Sequence, residues 1–143
     1  MTGEFAVAIH ALVFLNYKKE TLSSEVIAKN VCTNPARIRK VMAKLKKGGL
    51  ITTKEGADGG YLFEKDPCSV SLKEICEATD TYPVPPAWRS GDMNCECLIA
   101  SGMSDVMNDI YNDLNEICKE RLKSISISDI EQIIFKGTQQ KRK

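Results

Sequence analysis

Six cations fall within eleven residues: Arg37, Arg39, Lys40, Lys44, Lys46 and Lys47. Between them, Ile38, Val41, Met42 and Leu45 recur at i, i+3, i+4 and i+7, which makes one apolar stripe on a helix. At about 100° per residue, Ala36, Lys40, Ala43 and Lys47 point away from that stripe. Arg37 and Lys44 flank them on one side, Arg39 and Lys46 on the other. The chemistry open to such a face is electrostatic: the cations reach phosphate oxygens, and the alanines permit close approach to a groove. An ordinary solvated helix can also carry a basic face, so the setting has to separate the two readings.

That setting is specific. Asn34 is suited to cap the helix and Pro35 to occupy its first position, and Gly48-Gly49 ends it. A short helix pattern, Ser24 to Val31, precedes it across Thr33-Asn34-Pro35. Ile51-Thr52-Thr53, a tip at Gly56-Ala57-Asp58-Gly59-Gly60, and Tyr61-Leu62-Phe63 follow as a hairpin. Two helices joined by a tight turn and followed by a hairpin predict a winged helix-turn-helix, with double-stranded DNA as the partner.

Thiols are the second source of chemistry. Cys95 and Cys97 lie just before a long helix pattern, where the N-terminal helix dipole favours thiolate at Cys97. An exposed thiol of low pKa is a starting point for redox sensing. A Cys95–Cys97 disulfide would close a tight, strained ring, and Cys118 is a candidate for pairing across a dimer. Equally, Cys95 and Cys97 can be plain loop thiols with Cys118 packed in a helix interface. Cys32 and Cys76 read as small buried hydrophobes, and the position of Cys68 leaves its role open. No metal or cofactor is expected. The alternative is an iron–sulfur cluster on Cys95 and Cys97, completed by His10 or Glu4; a lone His on an apolar helix also reads as a packed core residue. Enzyme chemistry has no support: the chain holds one His, no phosphate-cradling loop before a helix, no nucleophile–His–acid set and no paired acids in a plausible cleft.

The chain has 143 residues, 43% hydrophobic, with a net charge of +1. Residues 1–65 carry 11 Lys/Arg against 6 Asp/Glu and residues 66–143 carry 9 against 13, so a basic front half precedes an acidic rear half. The apolar stretch Phe5–Leu15 lacks a basic lead and is too short to span a bilayer, which leads us to expect a cytoplasmic protein without membrane partners. In that reducing setting the six cysteines are not expected to form structural disulfides.

A first helix is predicted over Glu4–Tyr17, with Ala6, Ile9, Leu12 and Val13 as its apolar face. Val26, Ile27 and Val31 are expected to pack inward from the second helix. Ser71 is expected to cap a helix over Leu72–Thr79, with Glu74 completing a capping box. Asp80–Asn94, rich in Pro and holding the one Trp, reads as a loop; its Tyr82 and Trp88 either line a small-molecule pocket or cover the core. Leu98–Leu122 carries Met103, Val106, Met107, Ile110, Leu114, Ile117 and Leu122 on one stripe, long enough to pack against a partner chain. Ser128 is expected to cap a last helix over Asp129–Phe135, ended by Gly137, with Gln139–Lys143 as a frayed basic tail. The fold class is therefore mainly α with a small β-hairpin wing. It divides into a winged helix-turn-helix domain (1–79), a sensor loop (80–97), and a dimerisation helix with a C-terminal helix (98–143).

Particular residues in this order resemble the Rrf2 family of bacterial transcription regulators. They are Ser24-Glu25-Val26-Ile27-Ala28, Asn34-Pro35-Ala36-Arg37-Ile38-Arg39-Lys40-Val41, Leu45-Lys46-Lys47-Gly48-Gly49-Leu50-Ile51, the wing Gly56-Ala57-Asp58-Gly59-Gly60-Tyr61, and Val70-Ser71-Leu72-Lys73-Glu74-Ile75. The resemblance covers nearly the whole chain. It implies a dimeric winged-helix repressor or activator, paired through Leu98–Leu122, and a repressor is the expectation for this chain. It also implies an iron–sulfur cluster or reactive thiol in the loop before that helix. Two departures stand out. The family wing commonly carries Arg before its first glycine, where this chain has Glu55 beside Lys54. The three-cysteine cluster set of the loop is replaced by Cys95-Glu96-Cys97, with Cys118 far along the helix. The expected DNA-contacting set is Ser24, Asn34, Pro35, Ala36, Arg37, Arg39, Lys40, Lys44, Lys54, Gly59 and Gly60. The expected sensing set is Cys95, Cys97 and Cys118, responding to oxidants, electrophiles or a small-molecule effector. An iron–sulfur-dependent regulator, and an adaptor whose wing has lost DNA, are the competing readings.

Overall fold

The computed structural model describes residues 3–141, the last four as backbone only. In chain order the elements are α1 (Gly3–Lys18), α2 (Ser24–Val31), α3 (Pro35–Lys47), β1 (Thr52–Lys54), β2 (Gly60–Leu62), α4 (Leu72–Ala78), α5 (Leu98–Lys123) and α6 (Ile127–Lys141). The architecture is mainly helical with one two-stranded antiparallel hairpin and a long C-terminal helix, as the sequence predicts.

Local chemistry sets the helix ends. Ser23 caps α2 by accepting from the Val26 N–H, and Cys32 closes it in the left-handed region at φ 65°. Asn34 accepts from the Arg37 N–H at 2.8 Å, with Pro35 at the first position of α3. Ser71 accepts from the Glu74 N–H to start α4. Ile38, Val41, Met42 and Leu45 of α3 all have 0% exposure, and they join Leu12, Leu15, Ile27, Val70, Ile75 and Cys76 in one core.

The hairpin pairs Thr52 with Leu62, Thr53 with Tyr61 and Lys54 with Gly60. Its second strand is tied at the middle to the α1–α2 connection. Leu22 donates to the Tyr61 carbonyl at 3.0 Å, and Tyr61 donates back to Leu22 at 2.8 Å. At Gly60 this leaves no room for a side chain: a Cβ would stand 2.2 Å from the Leu22 carbonyl oxygen, and φ is +155°.

Several expectations need correction. Of the face predicted for α1, Leu12 is fully buried, Ile9 and Val13 pack half-buried at the edge of the core, and Ala6 is exposed. The inward side is Phe5, Val7, Ala8, Ala11, Leu12 and Leu15, whereas Ala6, Ile9 and Val13 line an open groove against Ile130, Ile134 and Phe135 of α6. α1 is apolar on nearly every side, so its periodicity does not select a face. Val26 is exposed, whereas Ile27 is buried and Val31 packs half-buried against the core as expected, joined by Ala28. Cys32 is exposed because it lies beyond the last helical turn, and Cys68 is exposed too, whereas Cys76 is buried as expected. His10 is exposed and bonds to Asn30 Oδ1 at 2.8 Å.

The C-terminal helix also starts elsewhere. Ser126 and Asp129 cap it reciprocally, Ser126 N–H to Asp129 Oδ2 at 2.9 Å and Asp129 N–H to Ser126 Oγ at 3.1 Å. Ile127, wholly buried, donates to the Val70 carbonyl and pins this start to the core. The helix runs through Gly137, where glycine costs about 1 kcal/mol relative to alanine and does not stop it. Of the tail expected to fray, 139–141 are helical, and 142–143 lie outside the described residues.

Between α4 and α5, residues 80–97 form no helix or strand. The segment is strapped along α5: Asn115 donates to the Val84 carbonyl and accepts from the Val84 N–H, and the Arg89 guanidinium lies 4.3 Å from the Tyr111 ring centroid. Trp88 is 85% exposed and Tyr82 more than half exposed, so neither covers the core. They also lie away from the apolar groove between α1 and α6.

Gly60→Ala should lower unfolding free energy by about 1–3 kcal/mol through backbone strain alone, and by more if the Leu22–Tyr61 bridge breaks. Chemical denaturation monitored by circular dichroism checks this. Stability equal to the parent would show that the bridge is not constrained as described.

Candidate nucleic-acid interface

α3 presents its cations because its four apolar residues are committed to the core. The structure then gives each cation a different neighbour. Arg39 Nη1 donates to Ser24 Oγ at 3.3 Å and stands 3.8 Å from Glu25 Oε1. Lys46 donates to Thr53 Oγ1 on β1 at 3.1 Å. Lys44 Nζ lies 2.6 Å from Glu4 Oε2, and Lys40 Nζ lies 3.1 Å from Glu4 Oε1. Among the described residues, no carboxylate pairs with Arg37 or Lys47. The Arg37 guanidinium lies close to Gly3, where a Cβ would collide with it. Ala36 and Ala43 are exposed between these side chains.

The sequence-predicted residues thus come together in two groups. Ala36, Arg37 and Lys40 are exposed on α3, with Asn34 and Pro35 setting its start. Ser24, Lys54, Gly59 and Gly60 line a cleft of about 290 Å³ between the α2 N-terminus and the wing, joined by Ser23, Glu25, Thr53 and Tyr61. Ser24 itself is buried, its hydroxyl engaged by Arg39 and Glu25. Lys44 is only half-exposed. Gly59 has a turn role, its N–H donating to Gly56 at 3.0 Å where a Cβ would strike the Lys54 carbonyl.

Sequence reasoning considered Glu4 only as a metal ligand and passed over Glu25 and Thr53. The available signal for Glu4 was an acid in the first turn of α1; its pairing with α3 crosses about forty positions and leaves no local pattern. Its bond to Lys44 foremost, and then Lys40, hold the Glu4 carboxyl below its usual 4.5 despite partial burial. A carboxylate with a depressed pKa adds stability above its unfolded value, here above about pH 4.5, and that contribution is lost as pH falls through the lowered value.

The thiols do not assemble. Cys95 and Cys97 are exposed, and Cys97 occupies the N-cap of α5 without a full capping bond. The Ala100 and Ile99 N–H groups nevertheless pull its thiol below the ordinary value of 9.0, while burial pushes Cys76 above it. Cys118 lies twenty-one positions further along α5, roughly 30 Å at 1.5 Å per residue, so it shares no site with Cys97 in one chain. An iron–sulfur cluster on Cys95 and Cys97 with His10 or Glu4 does not fit: His10 bonds Asn30, and Glu4 is held between two lysines. Among the described residues no three Cys, His, Asp or Glu side chains form a group that could hold a metal.

Comparison with known proteins decides the family. The family model described as "Iron-dependent Transcriptional regulator", Rrf2, matches residues 1–132. The chain belongs to the Rrf2 family. It is 29% identical over 135 residues to YwnA of Bacillus subtilis (strain 168), named as an HTH-type transcriptional regulator, with 94% of this chain and 99% of YwnA covered. The HTH-type transcriptional regulator IscR of Klebsiella pneumoniae (strain 342) is 24% identical over 128 residues, covering 90% of this chain and 76% of IscR. A crystal structure of a transcriptional regulator from Lactobacillus plantarum superposes with a TM-score of 0.82 over 100% of both chains, at 21% identity, and so supports the fold. This Rrf2 protein is a DNA-binding transcriptional regulator rather than an enzyme, and the adaptor reading gives way. The iron of the family description has no three-ligand set in the described part of this chain.

Alkylation with iodoacetamide under reducing conditions, read by peptide mass spectrometry, should modify Cys97 with a midpoint pH lower in the folded chain than in urea. Cys76 should react only after unfolding. A Cys97 midpoint unchanged by urea would remove the helix N-terminus as the cause.

Proposed function

We propose that this regulator works as a homodimer, with α3 of each copy in the major groove of double-stranded DNA and the wing beside the flanking backbone. One observation carries the reading. The complete burial of Ile38, Val41, Met42 and Leu45 turns Ala36, Arg37 and Lys40 outward as a face with two long cations and a small residue. In this reading Arg37 and Lys40 meet phosphates or base edges, and Asn34 and Pro35 present the first turn. Arg39, reaching from α3 to Ser24 at the start of α2, lies at the edge of this face, and Lys54, Gly59 and Gly60 form the wing side of the cleft.

The division of labour follows the three segments: residues 1–79 read DNA, 80–97 receive a signal, and 98–143 join the copies. The support for pairing is the unpartnered stripe of α5. Val106, Ile110, Leu114 and Ile117 are 41–59% exposed, and only Leu122 of this helix is buried. At 26 residues α5 is roughly 39 Å long. Two copies joined along it present two α3 helices to half-sites one turn of duplex apart, roughly 34 Å. A signal at Cys97, or a small ligand on the loop strapped to α5, would act by changing the angle between the copies. Among the described residues no helix is long and apolar enough to cross a membrane, and we place the protein in the cytoplasm with its DNA.

Two experiments test this. Arg37→Ala should weaken binding to duplex DNA from the region upstream of its own gene and reduce the salt slope by about 1, measured by gel shift across a salt series; unchanged slope would take Arg37 out of the interface. Ile110→Asp combined with Leu114→Asp should convert a dimer to a monomer in sedimentation velocity with helix content preserved. A parent chain that sediments as a monomer would reject the pairing outright.

A further inference from the structure

One carboxylate serves two cations of α3. Each oxygen of Glu4 faces one ammonium, Lys44 at 2.6 Å and Lys40 at 3.1 Å. The side chains differ in exposure: 20% for Glu4, 32% for Lys44 and 68% for Lys40. The Lys44 pair is therefore mostly withdrawn from water and weakly screened, while Lys40 reaches out from the same carboxylate into solvent. Lys40 and Lys44 are four residues apart on one helix, where like charges repel, and Glu4 relieves that repulsion. Glu4 is held in place by its neighbour Phe5, which is buried in the core. The three groups together carry one net positive charge. When Lys40 swings away, Lys44 still neutralises Glu4, so no half-buried charge is left alone.

We propose that Glu4 limits how many α3 cations reach the phosphate backbone: it keeps Lys44 out of the DNA contact altogether and holds Lys40 in an ion pair that DNA displaces. This rests on α3 being the DNA-contacting helix, and it makes Glu4 a positioning residue acting through the two lysines. Lys44, which the sequence places among the contacts, becomes a structural partner.

The test is a double-mutant cycle read as salt dependence. Binding of the full chain to a fluorescent mixed-sequence duplex is followed by anisotropy between about 50 and 200 mM KCl. Lys44→Gln should leave the log–log slope unchanged. Glu4→Gln should steepen it by about 0.9 for each cation released, so for one cation the affinity ratio of variant to parent falls about 3.5-fold as salt rises from about 50 to 200 mM. In a Lys40→Gln/Lys44→Gln background, Glu4→Gln should no longer alter the slope. A slope flattened by about 0.9 in Lys44→Gln, or the same gain from Glu4→Gln in both backgrounds, would overturn the proposal; the second result would mean that only bulk charge matters. Failure of the parent to bind the duplex would instead bring down the DNA reading itself, and the proposal with it. Circular dichroism melts confirm folding, and the Lys44→Gln arm decides alone if Glu4→Gln does not fold.

Discussion

The rotation of α3 about its own axis is the constraint on which everything else depends. Four large side chains, Ile38, Val41, Met42 and Leu45, are sealed in the core. Burying each is worth about 1.5–3 kcal/mol. Turning the helix by a single residue would expose part of that set and drive a lysine or arginine inward, where an unpaired charge costs far more than the apolar contact returns. The direction in which the cations project is thus a by-product of packing. The basic surface need not stabilise the fold, because the opposite side of the same helix does.

α1 is where packing and charge meet. Its inner side supplies Phe5, Ala8, Leu12 and Leu15 to the core, while Glu4, one position before Phe5, reaches across to α3. Further along, Asn16 donates to Glu131 at 2.6 Å and ties the same helix to α6. One helix therefore touches the cationic helix α3 near its start and the C-terminal helix near its end. The groove left on its outer side, apolar along Ala6, Ile9 and Val13, explains why the helix is hydrophobic on nearly every side.

The parts legible in the sequence are those governed by short-range rules. Ser or Asn before a helix, Pro at its first turn and a 3.6-residue apolar period act within a few positions, and α2, α3 and α4 follow them closely. The hairpin declared itself by its glycines. The failures share one cause, which is dependence on distant partners. The buried side of α1 is chosen by what packs on it. Ser126 displaces Ser128 as the α6 cap because Ile127 is anchored to Val70. The neighbours of Lys40, Lys44 and Arg39 come from α1 and α2, so a flat view of α3 shows six equivalent cations where the folded chain has several kinds. The exposed Cys95 and Cys97 and the buried Cys76 were legible in position, Cys32 was not, and helix length alone separates Cys118 from Cys97.

The reciprocal hydrogen bonds between Leu22 and Tyr61 carry a mechanical implication. They join the middle of β2 to the chain that leads into α2, and α2 in turn packs on α3. The strand pair and the cationic helix accordingly travel as one stiff caliper with a fixed opening. Such an instrument cannot adjust to a groove of unusual width by flexing at its jaws. In the proposed dimer, accommodation to the duplex would therefore come from the handle, where the two copies meet.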